Sequence, residues 1–160
     1  MSATPLFSTI TDPADPRLEA ILPMFEDLHS VMNRHGMLLE LAPDGARIWL
    51  NGLRSGIERF TRIVIAEMNG EVIGFTCGSL KLAPEYFGGG RIGHWTHLYV
   101  HRAHRLSGVA RKMTALLHEW FEAKGVRNIE TQVVVDHPSS LPFVRSCGYR
   151  MEWYNFRKLS

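Results

Sequence analysis

The sequence predicts a mixed α/β domain, and three stretches carry the prediction. Between His94 and Lys124 the chain first alternates Trp95, His97 and Tyr99 with His94, Thr96, Leu98 and Val100, the period of a strand with two different faces. It turns through Arg105 to Ala110 and continues as Val109, Met113, Leu116, Leu117, Trp120 and Phe121, the apolar stripe of a helix that Gly125 ends. Upstream, Asn69-Gly70 separates two apolar runs, the strongest short signal for a hairpin. Further upstream, Leu18, Ile21, Leu22, Phe25, Leu28 and Met32 recur at helical spacing behind Asp15-Pro16, a cap with a first-turn proline.

The elements then follow in order. A short strand is expected around Leu6 to Ile10, then a helix from Asp15 to about His35-Gly36. A second cap at Asp44 opens a shorter helix with Ile48, Trp49 and Leu53, which Gly52 or Gly56 interrupts or ends. The hairpin joins Ile63–Ala66 to Val72–Cys77, extended by Leu80 and Leu82. Ala83 to Gly93, with Pro84 and three consecutive glycines, reads as a mobile loop that covers an acceptor. After the central unit, Asn128 to Asp136 reads as a buried strand through Val133, Val134 and Val135. A short helix from His137 to Arg145 is closed by Gly148, and Tyr149 to Leu159 alternates as a last strand. The order is β, α, α, β, β, β, α, β, α, β, without repeats.

Composition bounds the function classes. With 160 residues, 45% hydrophobic and 21% charged, the chain suits a single domain, 1–160, whose core needs no staples. Cys77 and Cys147 have no framework spacing and read as free thiols in a reducing compartment. No apolar run approaches the roughly 20 residues that span a bilayer, and MSATPLFST lacks the features of a leader, so the expected location is the cytoplasm. A net charge of +2 makes no case for nucleic acid, and a bound polyphosphate explains the cluster of Arg102, Arg105, Arg111 and Lys112 more economically.

The turn carries the chemistry. A basic side chain, a hydroxyl and a glycine lie where the N–H groups of a new helix have no intrahelical partner, and such an end attracts anions. The pattern R-x-x-G-x-A (Arg105, Gly108, Ala110), directly after the strand end Leu98-Tyr99-Val100, resembles the acetyl-CoA signature of the GNAT superfamily of N-acetyltransferases. That resemblance implies a mixed, partly splayed sheet with helices on both faces, and acetyl-CoA as acyl donor. It further implies that the pyrophosphate meets the N–H groups of Arg105, Leu106, Ser107, Gly108, Val109 and Ala110, near Arg111. The pantetheine arm would then pair with the backbone of Leu98, Tyr99 and Val100.

Transfer from a thioester to an amine needs a neutral amine, a polarised carbonyl and an exit for the thiolate. Alkyl amines have a pKa of about 10, so a base is required at neutral pH. His94 is the first candidate, because imidazole titrates near the operating pH. It falls on the first of two histidine positions that serve the proton path in the arylalkylamine branch that the chain resembles; Thr96 stands at the second, as a water-holding hydroxyl. A regular strand points His97 to the opposite face, and that parity argues against a metal site built from His94, His97, His101 and His104. A bulge would reverse it. Where relatives show N-x-x-A-x-x-x-Y-x-x-x-G-F, Gly148-Tyr149 stands for G-F, His137 for the asparagine, Ser140 for the alanine and Val144 for the tyrosine acid. The acid is missing, leaving Ser140, Tyr149 or water to serve the sulfur.

The predicted activity is acetyl-CoA-dependent N-acetylation of a primary amine by direct attack, on a small-molecule or peptide acceptor. The alternative is a GNAT-fold sensor that binds acyl-CoA with little or no turnover. Glu40, Trp49, Glu85 and Tyr86 lie in the variable connections expected to wall the acceptor site. A terminal strand bearing Trp153, Tyr154 and Phe156 would present an aromatic edge for a homodimer to cover.

Overall fold

The computed structural model describes residues 3–160. Its elements are β1 (Leu6–Ile10), α1 (Ile21–Arg34), α2 (Gly45–Arg54), β2 (Thr61–Met68), β3 (Glu71–Leu82), β4 (Arg91–Val100), α3 (Val109–Ala123), β5 (Asn128–Thr131) and α4 (Ser140–Ser146). Asp15 caps a 3₁₀ turn, Pro16–Ala20, which leads into α1; its carboxylate accepts from Arg17 N–H at 2.9 Å. The predicted first helix therefore starts as a tighter turn. Proline at its first position makes that start favourable, since no amide donor is lost there.

The five strands lie in chain order, β1-β2-β3-β4-β5, antiparallel except for the parallel pair β4·β5. Asn69 and Gly70 both have positive φ, 53° and 81°, so the β2–β3 turn is of the I′ kind that Asn-Gly favours. The sheet is covered on both faces. α1 and α2 pack Ile21, Met24, Leu50 and Trp49 against Ile63, Ile65, Phe75, Cys77 and Tyr99 on one. α3 lays Val109, Met113, Leu117, Trp120 and Phe121 on the other, against Val64, Ala66, Ile73, Trp95 and Val100, with Phe143 and Val144 of α4 at its margin.

Three local expectations change. The β3–β4 connection is shorter than the expected Ala83–Gly93: Glu85–Phe87 form a 3₁₀ turn and Ala83 N–H donates to Gly90 C=O at 2.8 Å, so β4 starts at Arg91. The strand expected through Val133–Val135 stops at Thr131, and Val135 is 76% exposed. β-branched residues favour strands only where the segment lies along a partner, and the chain leaves the β4 edge after Thr131 although β4 itself runs on to Val100. Tyr149–Leu159 forms no strand either; residues 149–160 pair with nothing in the sheet.

Candidate active site

β4 has unequal neighbours. β3 pairs with it from Arg91 to Val100, whereas β5 pairs only with Ile92, Gly93, His94 and Trp95. At the fork Thr131 Oγ1 donates to Trp95 C=O at 2.8 Å. Beyond it, Leu98, Tyr99 and Val100 have no strand on the β5 side, so the sheet splays where the sequence reading put the pantetheine arm.

The turn after β4 is held from within. Arg105 Nε donates to Val100 C=O at 2.8 Å, and Ser107 Oγ to His104 C=O at 2.5 Å. Leu106 and Gly108 take positive φ, 60° and 85°, which tips successive N–H groups toward one side. Among the described residues, the N–H groups of Leu106, Ser107, Gly108, Val109, Ala110 and Arg111 make no hydrogen bond within the protein. Unpaired donors at the start of a fifteen-residue helix, with Arg105, Arg111 and Lys112 beside them, fit a pyrophosphate.

The strand carries a bulge. Cys77 pairs with His97 and Gly78 with Trp95, so Thr96 is the extra residue. It brings His94 and His97 to the same face, correcting the opposite-face placement and the parity argument drawn from it. Among the described residues no group of three or more His, Cys, Asp or Glu is placed to hold a metal ion. Thr96 Oγ1 donates to Cys77 C=O at 3.1 Å and lies 3.2 Å from Cys77 Sγ. The hydroxyl expected to hold water is thus tied inside the β3–β4 ladder.

His94 is half-buried, in register with Glu130 of β5 and Ser79 of β3. Burial lowers its pKa below the ordinary value, Lys81 lowers it further and Glu130 opposes both, while Lys81 and Glu130 pair with each other. His94 is therefore neutral at pH 7 and able to accept a proton. His97 lies deeper, its ring 5.1 Å from Phe25, 5.2 Å from Trp49 and 5.8 Å from His29. Burial pushes it down to about 3, with smaller contributions from His29 and His94. His29, from α1, has its Nε2 buried without a partner, and burial lowers its pKa too. Sequence reasoning missed this histidine; its place at the edge of the apolar stripe of α1 was the available signal.

The residues expected near the thiolate lie at the start of α4. His137 Nδ1 lies 2.9 Å from Ser140 Oγ and accepts Ser140 N–H at 3.1 Å. Burial, then His35 and Arg105, depress its pKa, so His137, Ser140 and Arg105 share one neighbourhood. Tyr149 is unavailable as an acid: its O–H meets His118 Nε2 at 2.8 Å beside Trp95, and burial raises its pKa. Val144 packs at the margin of the α3 core. Cys77 is fully buried and pushed up to about 12, which removes it as a nucleophile.

The four acceptor candidates lie on three elements: the α1–α2 connection, α2 and the β3–β4 loop. Glu40 lines a cleft of about 480 Å³ with Glu26, His29, Ser30 and Asn33, and Asn33 holds the connection by donating to Met37 and Leu39 C=O at 2.9 and 2.7 Å. Trp49 stacks on Phe25 at 3.9 Å, as part of the core under His97. Glu85 and Tyr86 stand at the tip of the β3–β4 hairpin, beyond the Leu82–Arg91 pair, with Tyr86 82% exposed. The end of α1 reaches the loop before α4 instead, through His35 on His137 at 5.2 Å.

The profile of the acetyltransferase (GNAT) family matches residues 25–149. The chain belongs to the GNAT family. No curated protein matches the sequence. Solved structures of similar fold include the aminoglycoside N-acetyltransferase AAC(6')-Iy in complex with CoA, 16% identical, covering 99% of this chain and 97% of that one, at a TM-score of 0.77. An aminoglycoside acetyltransferase from an uncultured soil metagenomic sample, in complex with trehalose, is 14% identical over 98% and 96% of the two chains, with a TM-score of 0.73. The ribosomal-protein-alanine N-acetyltransferase of Brucella melitensis biovar Abortus is 17% identical over 98% and 99%, at 0.70. At such identities the likeness is one of fold.

Proposed function

We propose that this GNAT protein is an acetyl-CoA-dependent N-acetyltransferase of the cytoplasm that acts on a primary amine, small-molecule or peptide, by direct attack. The observation that carries the reading is the row of unpaired N–H groups from Leu106 to Arg111, at the foot of a strand whose last residues lack a neighbour on one side. Acetyl-CoA, when bound, supplies an acetyl carbonyl and a thiolate leaving group. Leu106 to Arg111 hold its pyrophosphate, and the free edge of Leu98 to Val100 holds the pantetheine and polarises the carbonyl. One such donor is worth roughly 3 kcal/mol.

His94, neutral because it is half-buried beside Lys81, takes the amine proton, directly or through water. His97 packs behind it and stays neutral. The amine nitrogen bonds to the carbonyl carbon as the C–S bond breaks, and the Ser140–His137 pair stands nearest the expected place of the sulfur. The buried Cys77 favours direct attack over an acyl-enzyme. The cleft sets Glu26 and Glu40 against one cation, Arg34, and this net negative lining favours a cationic acceptor.

The deciding experiment is a calorimetric titration with acetyl-CoA, CoA and an unrelated adenine nucleotide. Micromolar binding of the first two is expected, weakened about 100-fold or more in Gly108→Glu, which sets a carboxylate against the pyrophosphate. No binding by the unmodified chain would overturn the reading. Val144 favours a second one, an acyl-CoA sensor with little turnover, because Tyr149 is already engaged with His118. An amine screen in which Val144→Tyr alone turns over would favour the sensor.

A further inference from the structure

Four cations outside both the cofactor turn and the cleft with Glu26 and Glu40 meet at the opposite end of the sheet. Arg59 comes from the α2–β2 connection, Lys81 from the end of β3, Arg91 from the start of β4 and Lys124 from just past α3. With Phe60, Leu80 and Leu82 they line a cleft of about 320 Å³ that has no carboxylate in its lining. The ammonium of Lys81 pairs with Glu130. Among the described residues Arg59, Arg91 and Lys124 form no ion pair. Three positive charges thus stand around an apolar floor without a counter-charge.

Local structure fixes both walls. Gly56 C=O accepts the N–H groups of Arg59, Phe60 and Thr61 at 3.1, 3.0 and 2.9 Å. Glu58 takes a positive φ of 66°, which a non-glycine residue adopts only where its surroundings impose it. This tight turn displays Arg59 and lays the Phe60 ring on Gly56, where a Cβ would meet it at 2.7 Å, yet the side chain stays 45% exposed. Leu80 N–H donates to Phe60 C=O at 2.8 Å and fastens the turn to β3. On the other side Arg91 Nη1 donates to Lys124 C=O at 3.2 Å, so the guanidinium ties β4 to the end of α3 and keeps its remaining N–H groups for a ligand.

We propose that this cleft is a second anion site, which takes a small organic phosphate: its planar apolar part covers Phe60, Leu80 and Leu82, and its phosphate lies among Arg59, Arg91 and Lys124. A phosphomonoester carries a charge of about −1.5 to −2 and presents several acceptor oxygens, a match for two guanidinium forks and an ammonium. The cleft is at the lower end of ligand-site volumes, which suits a nucleoside monophosphate or an aryl phosphate. β4 puts about 30 Å between Arg91 and Val100, so this site and the cofactor turn fill independently. The cleft with Glu26 and Glu40 has the opposite sign and repels the same ligand.

The test is amide chemical-shift mapping on the full chain, titrated with adenosine monophosphate, phenyl phosphate, inorganic phosphate and benzyl alcohol, each with and without saturating CoA. The two organic phosphates should shift the amides of 59–61, 80–82, 91 and 124, the tighter with a dissociation constant below about 1 mM. Whichever binds more tightly names the source, nucleotide or aryl phosphate. Inorganic phosphate should bind there about tenfold more weakly, benzyl alcohol should leave those amides in place, and CoA should displace nothing. The double substitution Arg59→Ser, Arg91→Ser should weaken binding about tenfold or more with an unchanged circular dichroism spectrum. Leu82→Ser should weaken the organic phosphates and spare inorganic phosphate, and decides the matter should the double variant unfold. Shifts confined to 98–111 and abolished by CoA would put the phosphate in the cofactor turn and overturn the proposal. No shift at the cleft, or binding that the variants leave unchanged, overturns it as well. A chain that fails to bind CoA would sink the acetyltransferase reading alone, because the cleft is read at its own residues.

Discussion

The two halves of β4 are built differently. From Ile92 to Trp95 the strand has a partner on each side, and its α3 face is closed by the ring of Phe121 and by Trp95, whose indole N–H donates to Thr76 Oγ1 at 2.9 Å. From Leu98 to Val100 it has a partner on one side and opens into a turn full of unused donors. The first half holds His94, the proposed base, in a fixed frame. The second leaves backbone available to a ligand. Between them the bulge at Thr96 sets His97 under Phe25 and Trp49. Rigidity and availability are thus adjacent because one neighbouring strand ends early.

His97 at the joint offers the largest effect. Its folded pKa of about 3 lies below the ordinary 6.5, so above pH 6.5 both folded and unfolded chains leave it neutral and stability is complete. As pH falls from 6.5 toward 3 the unfolded chain takes a proton that the folded one refuses, and stability is lost, by roughly 5 kcal/mol at most. Denaturant unfolding at stepped pH should show that slope, much reduced in His97→Gln. An unchanged slope would mean that the acid lability lies elsewhere, with His29 next in line.

His94→Gln, in the closed half, should lower kcat about 100-fold or more while acetyl-CoA affinity holds. Because burial and Lys81 lower the His94 pKa, the acid limb of the unmodified enzyme should fall below pH 6.5 and vanish in the variant. A full rate in His94→Gln would transfer the base role to another group. Gly93→Val sharpens the packing side of the comparison. A Cβ there meets the Phe121 ring at 2.8 Å, and overpacking of about 1–3 kcal/mol should lower the melting temperature by several degrees. Gly90→Val, with nothing within 4 Å, should change it little. The smallest effect is expected in the open half. Arg105→Ala removes one exposed charge and the bond to Val100 C=O, so acetyl-CoA should bind about fivefold more weakly by titration, with kcat nearly unchanged.

Much of this was legible because its causes are local. Asn69-Gly70 sets its own φ values, Asp15-Pro16 caps its own turn, and Arg105 and Gly108 announce a helix start that faces anions. The bulge was not. Which residue of β4 is extra depends on how Cys77 and Gly78 of β3 sit opposite it, and no window around His94 contains that information. Val133–Val135 and Tyr149–Leu159 have strand composition, yet composition does not say whether a segment lies along a sheet edge, and neither does. The setting of the acceptor candidates was hidden for a like reason. Glu40 belongs to a connection folded onto α1, while Glu85 and Tyr86 ride the end of a hairpin beyond the Leu82–Arg91 pair.

The bulge gives β4 a reading frame. Substitutions change what each position carries and leave the frame alone. Removing the single residue Thr96 would leave Cys77 opposite His97 and Gly78 opposite Trp95 in a regular ladder, with His94 and His97 still on one face. What the extra residue adds is a local bend between the closed and open halves and a hydroxyl that ties β4 to Cys77. Its deletion therefore separates the bend from the faces, and a site that survives it needs only the frame.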